Sequence, residues 1–336
     1  MSQRDSFRAA AVQAAPVWLD GAATVDKCVA LIEEAADNGA ALIAFPETFV
    51  PGYPWWLWLD SPAWGMQFVA RYFDNSLALD GPLFARLREA ARRSAITVVT
   101  GHSERDGGSL YMGQAIIGAD GEVLAARRKL KPTHVERTVF GESDGSNLTV
   151  VDTELGRLGA LCCWEHLQPL TKYAMYSQHE QIHVAAWPSF SVYRGAAYAL
   201  GPEVNTGAAR QYAVEGQCFV LSPCAVIDEA GVELFCDTPA KRELLLPGGG
   251  FAQIYGPDGR ELGTALPETE EGLVYADLEA SAVAVAKSAA DPVGHYSRPD
   301  VLQLLWDPRP RSVVRQVALS VASPAESADD TEPAVR

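Results

Sequence analysis

The feature that most constrains this chain is a set of short apolar runs, each closed off by turn-forming residues. Residues 7–13, 40–45, 96–101, 158–163 and 182–186 are such runs, and each stops at Pro, Gly or a polar cluster. Their brevity and flanking turns predict strands buried on both faces. Between them the period changes. Val25, Cys28, Val29, Ile32 and Ala35 recur at helical spacing up to the stop signal Asn38-Gly39, and residues 82–94 form a basic amphipathic helix. Two more helices are predicted over 170–178 and 204–215. Asp120-Gly121 and Pro257-Asp-Gly259 mark hairpin turns, and 110–119, 122–128, 147–152, 218–226, 250–255 and 272–277 complete the strand set. Strands alternating with helices, then interleaved with hairpins, predict an α/β protein with a mixed sheet or a pair of sheets covered by helices.

Size and charge narrow the function. A chain of 336 residues holds ample core. The simplest division is one catalytic domain over 1–311 and an acidic, disordered tail over 312–336. The formal net charge of −16 argues against nucleic acid or an anionic membrane as partner, since both demand a basic face. No apolar run approaches the roughly 18 residues that cross a bilayer, and the N-terminus carries no export segment, so a cytoplasmic location is expected. The six cysteines are scattered, without the paired spacings of a zinc site, which predicts free thiols and no metal. No glycine-rich phosphate loop appears and no cofactor is expected.

Reactive groups gather where the runs end. The run at 158–163 hands over to helical spacing through Cys162-Cys163-Trp164-Glu165-His166. A turn there can push a sulfur out of the sheet, while nearby amide N–H groups favour negative charge. On its own a buried cysteine is more often a small core hydrophobe. Adjacent cysteines on a strand point to opposite sides, so at most one faces a site. Glu47 follows the apolar 41–45, where a carboxylate is costly unless paired. Lys129 closes the strand from 122 and is the candidate partner. Each alone reads as a surface ion pair; together, a carboxylate, an ammonium and a thiol at three strand ends predict a catalytic constellation.

These stretches carry a resemblance. Phe45-Pro-Glu-Thr-Phe-Val-Pro-Gly-Tyr-Pro54, Arg128-Lys-Leu-Lys-Pro-Thr-His-Val-Glu-Arg137 and Cys163-Trp-Glu-His166 resemble the nitrilase family of the carbon–nitrogen hydrolase superfamily, over about 7–306. The middle stretch and the Trp-rich loop at 49–58 are similar to true nitrilases more than to the amidase or carbamoylase branches. The resemblance implies a four-layer α-β-β-α sandwich, with Glu47, Lys129 and Cys163 as the catalytic triad and Glu136 as a further glutamate beside it. It implies hydrolysis of organic nitriles to acid and ammonia through a covalent thioimidate and thioester. Nitrile and water are then the partners, and the chain is expected to be a homo-oligomer built from dimers, extended in some members into spirals. Cys162 stands where asparagine is expected, and Ser143 where glycine is usual.

Tyr53, Trp164 and Trp187, beside the strand ends, and His134 are the candidate substrate contacts, whereas Trp55, Trp56 and Trp58 are assigned to core or subunit packing. His166 lies three residues from Cys163 and no Asn/Asp signature accompanies it, which disfavours a papain-like Cys–His site. The alternatives are an amidase or cyanide-hydrolysing member, and a catalytically silent relative that binds a ligand or a partner protein. An intact Glu47, Lys129 and Cys163 favours the enzyme.

Overall fold

A computed structural model describes residues 4–314. In chain order the elements are β1 (Ser6–Ala14), α1 (Gly21–Asp37), β2 (Ala40–Ala44), α2 (Trp56–Leu59), α3 (Pro62–Asn75), α4 (Pro82–Ser94), β3 (Thr97–Asp106), β4 (Ser109–Ile117) and β5 (Val123–Arg128). There follow β6 (Val150–Thr153), β7 (Gly156–Cys162), α5 (Pro169–Tyr176), β8 (Ile182–Ala186), α6 (Pro202–Gly216), β9 (Phe219–Ser222) and β10 (Cys224–Ala225). The described chain continues with α7 (Glu229–Phe235), α8 (Pro239–Leu244), β11 (Gln253–Tyr255), β12 (Gly272–Glu279) and α9 (Ser281–Ala290).

Two sheets form. One has the order β10-β1-β2-β3-β4-β5, with β12 also on β1; the other runs β11-β9-β8-β7-β6. Strand alternation decides what each face meets. Ala9, Ala11, Leu42 and Ala44 of the first sheet share a core with Leu158, Ala160, Val184 and Leu221 of the second. The intervening Ala10, Val12 and Ile43 pack outward on Val25, Cys28 and Ile32 of α1 and Phe84 and Leu87 of α4. On the far side, Met175 of α5 and Ala209, Tyr212 and Ala213 of α6 cover the second sheet. The layers are therefore helix, sheet, sheet, helix, as the resemblance implied.

The expected strand over 218–226 is two strands. Pro223 lacks the N–H a ladder needs, and the chain changes sheet there: β9 pairs with β8, while β10 pairs with β1. Helix α3, absent from the sequence reading, begins at a Ser61 cap with Pro in its first turn. Its interior contains Gly65, a weak helix former, but a Cβ at 65 would lie 2.7 Å from Trp56, so packing selects the glycine. Helices α7, α8 and α9 were likewise not anticipated. The loop over 49–58, expected to hold no regular element, is irregular as far as residue 55, but its last three residues enter α2. Residues 315–336, most of the expected tail, lie outside the described residues.

Candidate active site

Strand direction brings the three reactive stretches to one edge. β1, β2 and β3 are parallel, and two antiparallel steps return β5 to the same direction. β7 and β8 are parallel in the second sheet. Glu47 follows β2, Lys129 follows β5 and Cys163 follows β7. Glycine makes the first approach possible: a Cβ on Gly101 would sit 1.8 Å from the Pro46 carbonyl oxygen, so only glycine lets the Glu47 loop lie against β3.

The chain turns sharply at each of these points. Thr48 (φ 45°), His134 (φ 46°) and Cys163 (φ 45°) all occupy the left-handed region, an uncommon conformation for residues other than glycine that must be held by surrounding contacts. Cys163 thus leaves the plane of its strand, whereas Cys162 is the last residue of β7 and fully buried. The short 3-10 turns Cys163–Leu167 and His134–Thr138 each hold a glutamate that folds back on the turn's own start. Glu136 Oε2 accepts from the Thr133 N–H at 2.5 Å, and Glu165 Oε2 from the Cys162 N–H at 2.8 Å.

Lys129 Nζ lies between two carboxylates, 2.9 Å from Glu47 Oε1 and 2.8 Å from Glu136 Oε2, with all three side chains essentially excluded from solvent. Tyr53 donates its hydroxyl to Glu136 Oε1 at 2.7 Å, and Trp58 Nε1 donates to Tyr53 Oη at 3.0 Å. Glu47 Oε2 is buried and has no hydrogen-bond partner. Two carboxyls share one ammonium in a dry pocket: burial pushes Glu47 up to about 8, against the attraction of Lys129 and with the help of Glu136. Burial opposes the charge on Lys129, but Glu136 and Glu47 outweigh it and raise its pKa.

The Cys163 thiol is also raised well above its ordinary value, first by burial and then by Glu47; Lys129 and the Trp164 N–H act in the other direction without prevailing. A thiol raised in this way needs a base in its vicinity to attack.

Cys163 and Glu136 open onto a common cavity of about 40 Å³. Tyr53, Trp55, Trp58, Trp164 and Phe190 form its aromatic wall, and Val192 and Leu200 its aliphatic one. Asn205, which accepts from Trp164 Nε1 at 2.9 Å, and Ser189 supply polar groups. A larger depression of about 320 Å³ opens among Ala41, Thr97 and Leu155, at the opposite ends of the strands, where no nucleophile converges. Size alone does not mark the site.

Tyr53 and Trp164 line the cavity as expected. His134 and Trp187 do not. His134 stacks on Trp58 with ring centroids 5.7 Å apart and faces an outer depression. Trp187 is fully buried; its carbonyl accepts from the Glu47 N–H at 3.3 Å and its ring lies 5.3 Å from that of His166. Both support the site from behind. Conversely, Trp55 and Trp58, assigned from sequence to packing, are part of the cavity wall; Trp56 alone of the three belongs wholly to the core, against Phe68, Tyr72 and Phe235. The sequence reading also missed Ser189 and Phe190, which the strand-end rule would have found after β8. Asn205, inside α6, left no local signal.

The fold and this thiol-bearing site match one class. A model of the family described as "Carbon-nitrogen hydrolase" matches residues 8–288, so the chain belongs to that family. Within it the chain falls in the nitrilase branch. It is 60% identical over 311 residues to a nitrilase of Pseudomonas syringae pv. syringae, covering 93% of each chain. It is 58% identical to an aliphatic nitrilase of Rhodococcus rhodochrous, covering 91% of this chain and 84% of the relative. Identity to an arylacetone-specific nitrilase of Alcaligenes faecalis is 52%, covering 91% and 86%. Among solved structures, a carbon-nitrogen hydrolase from Helicobacter pylori G27 shares the fold at a TM-score of 0.69 and 15% identity, covering 88% of this chain and 96% of the other. An amidase from Nesterenkonia sp. AN1, bearing an acetamide moiety on its active-site cysteine, superposes at 0.62 with 22% identity, covering 84% and 94%.

Proposed function

We propose that this protein is a nitrilase, hydrolysing organic nitriles to the carboxylic acid and ammonia with Cys163 as nucleophile. The observation that supports the residue roles is the buried, unpartnered Glu47 Oε2 in a cluster, joined through Lys129, whose Glu136 lines the same cavity as Cys163. Ionised Glu47 takes the proton of the Cys163 thiol as the sulfur adds to the nitrile carbon. The nitrile nitrogen gains that proton, and Lys129 with the Trp164 N–H offsets the negative charge that develops there. The product is a thioimidate. A first water, activated by Glu47 or Glu136, adds to it; the C–N bond breaks, ammonia leaves and a thioester remains. A second water releases the acid and restores the thiol, so one nitrile and two waters give one acid and one ammonia.

The aromatic wall favours nitriles with apolar substituents. Ammonia release from aliphatic, benzoic-type and arylacetic-type nitriles, from cyanide and from the matching amides tests the reading. Acid and ammonia from nitriles are expected. Release from amides alone would place the activity with the amidases, and silence of the folded protein on both would leave a ligand-binding relative.

All six cysteines are free thiols and no helix among the described residues is long and apolar enough to cross a membrane; the thiols support a reducing, cytoplasmic location. A homo-oligomer of dimers, extendable into a spiral, is supported by the segment after α9. Trp306 packs on its own chain through Gly145, while Leu302 and Leu305 stay exposed. Residues 1–311 are assigned to the catalytic domain and 312–336 to an acidic tail. Ending the chain at Arg311 should preserve turnover, and sedimentation reports whether assembly size changes.

A further inference from the structure

Behind Cys163 lies a buried line of polar groups that the reaction above does not use. His166 Nδ1 is 2.6 Å from the Cys163 carbonyl oxygen; His166 Nε2 is 2.9 Å from His183 Nε2; His183 Nδ1 is 2.7 Å from Glu180 Oε1. Tyr212 closes the line, donating its hydroxyl to Glu180 Oε2 at 2.6 Å. All four side chains are at most 1% exposed. The space is reserved for them: a Cβ at Gly159, opposite His183 in the sheet, would sit 2.1 Å from Glu180 Oε1.

The proton order follows from which atoms can donate. A carbonyl only accepts, so His166 Nδ1 carries hydrogen. A neutral His166 then accepts at Nε2, which makes His183 Nε2 the donor. A neutral His183 in turn accepts at Nδ1, and Glu180 must be the carboxylic acid that donates to it. The same contacts would also suit an ionised Glu180 beside a His183 imidazolium, which differs only in the side of the 2.7 Å contact that holds the proton. Burial decides between the two, pushing Glu180 up to about 8 and both histidines well below their ordinary values.

The far end of this line is the peptide that joins Cys163 to Trp164. In a planar trans peptide the C=O and N–H point in opposite directions. Drawing the Cys163 carbonyl toward His166 therefore turns the Trp164 N–H the other way, where it favours the ionised form of the Cys163 thiol. We propose that Glu180, His183 and His166 form a neutral one-way hydrogen-bond relay that fixes the Cys163–Trp164 peptide with its N–H aimed at the reacting sulfur and at the charge developing beside it. The inference rests on Cys163 being the nucleophile. The three are positioning residues: they touch neither substrate nor sulfur and act through the backbone.

The test compares Glu180→Gln with Glu180→Leu in the full chain, reading kcat and KM on a turned-over nitrile and the pH dependence of Cys163 alkylation by iodoacetamide, located by mass spectrometry. Glutamine reproduces the acid, its amide N–H donating to His183 and its oxygen accepting from Tyr212, so Glu180→Gln should keep kcat within about twofold of the parent. Glu180→Leu should lower kcat about tenfold or more, with KM little changed and the alkylation midpoint moved to higher pH. Glu180→Gln as impaired as Glu180→Leu would overturn the neutral relay, and a folded Glu180→Leu at the parent rate would overturn any relay. If Glu180→Leu does not fold, His166→Phe carries the same expectation of lowered kcat, and an undiminished rate there is equally fatal. Turnover that survives Cys163→Ala would instead remove the nucleophile assignment, a failure separate from any result at Glu180.

Discussion

Two buried ionic clusters, Arg127 with Glu165 and Lys129 with Glu47 and Glu136, are built from the same kinds of residue and have opposite electrostatics. Arg127 and Lys129 leave β5 two positions apart and so project to the same side. Arg127 meets Glu165 in a two-pronged pair at 2.7 and 2.9 Å, and also donates to Gln114 Oε1 and the Asn147 carbonyl. Glu165 accepts from the N–H of Cys162 and of Leu130, the neighbours of Cys163 and Lys129. Charge is balanced one to one and the carboxylate oxygens are satisfied, so Glu165 is held below its ordinary pKa despite burial. Around Lys129 two carboxyls face one ammonium, one oxygen is left without a partner, and Glu47 is raised to about 8. The first cluster is a clamp between the sheets. The second holds a surplus carboxyl, the base of the proposed mechanism. Depth of burial does not separate them; charge balance and hydrogen-bond satisfaction do.

The largest effect expected on the reactive side is at the sulfur. Cys163→Ala should lower turnover by about 10³-fold or more, whereas Cys162→Ala, on the scaffold side against Arg127, should stay within a few-fold; steady-state ammonia release decides, and the reverse order would move the nucleophile to Cys162. Next come the two pairs themselves. Glu47→Gln should cost about 10²- to 10⁴-fold in kcat while the protein still unfolds cooperatively. Glu165→Ala should do the opposite, costing about 3–5 kcal/mol of stability by leaving Arg127 buried and unpaired, with activity falling in step with the folded fraction in denaturant titrations. If Glu165→Ala lost turnover at unchanged stability, the distinction between clamp and base would collapse.

The smallest effects are those of pH. With ionised Glu47 as the proposed base, the acid limb of the pH–rate profile should lie near 8, far above that of an ordinary carboxylate. Its folded pKa is raised, so the stability linked to Glu47 is full below the unfolded carboxyl range and is lost as pH rises through about 8. Melting temperatures of the parent should therefore fall more than those of Glu47→Gln between about pH 5 and 9. Equal slopes would mean that Glu47 is ionised throughout.

Much of the site was legible because its residues sit next to strong local signals. Glu47, Lys129 and Cys163 each stand at the end of a strand; Glu136 came only from the family resemblance, and the folding of Glu136 and Glu165 back on their own turns appears only in the structure. The roles of the aromatic residues were not legible. Trp55 and Trp58 wall the cavity while Trp187 and His134 support it from behind, and nothing in local spacing distinguishes a ring that faces a cavity from one that faces a neighbouring ring. Glu180, His183 and Tyr212 are drawn together from the β8 region and α6 by the packing of that helix on the second sheet, so their line to Cys163 has no sequence pattern at all.

The sequence by itself determined the strand and helix alternation, the acidic net charge and the three reactive strand ends, because apolar period, turn chemistry and composition are local properties. The tertiary structure alone decided that Pro223 sends one expected strand into two sheets, that burial raises Glu47 and leaves it an open oxygen while Arg127 and two N–H groups hold Glu165 down, and that burial raises the Cys163 thiol. These depend on how many charges share one dry space and on which donors reach them, and both are set by distances between elements far apart in the chain.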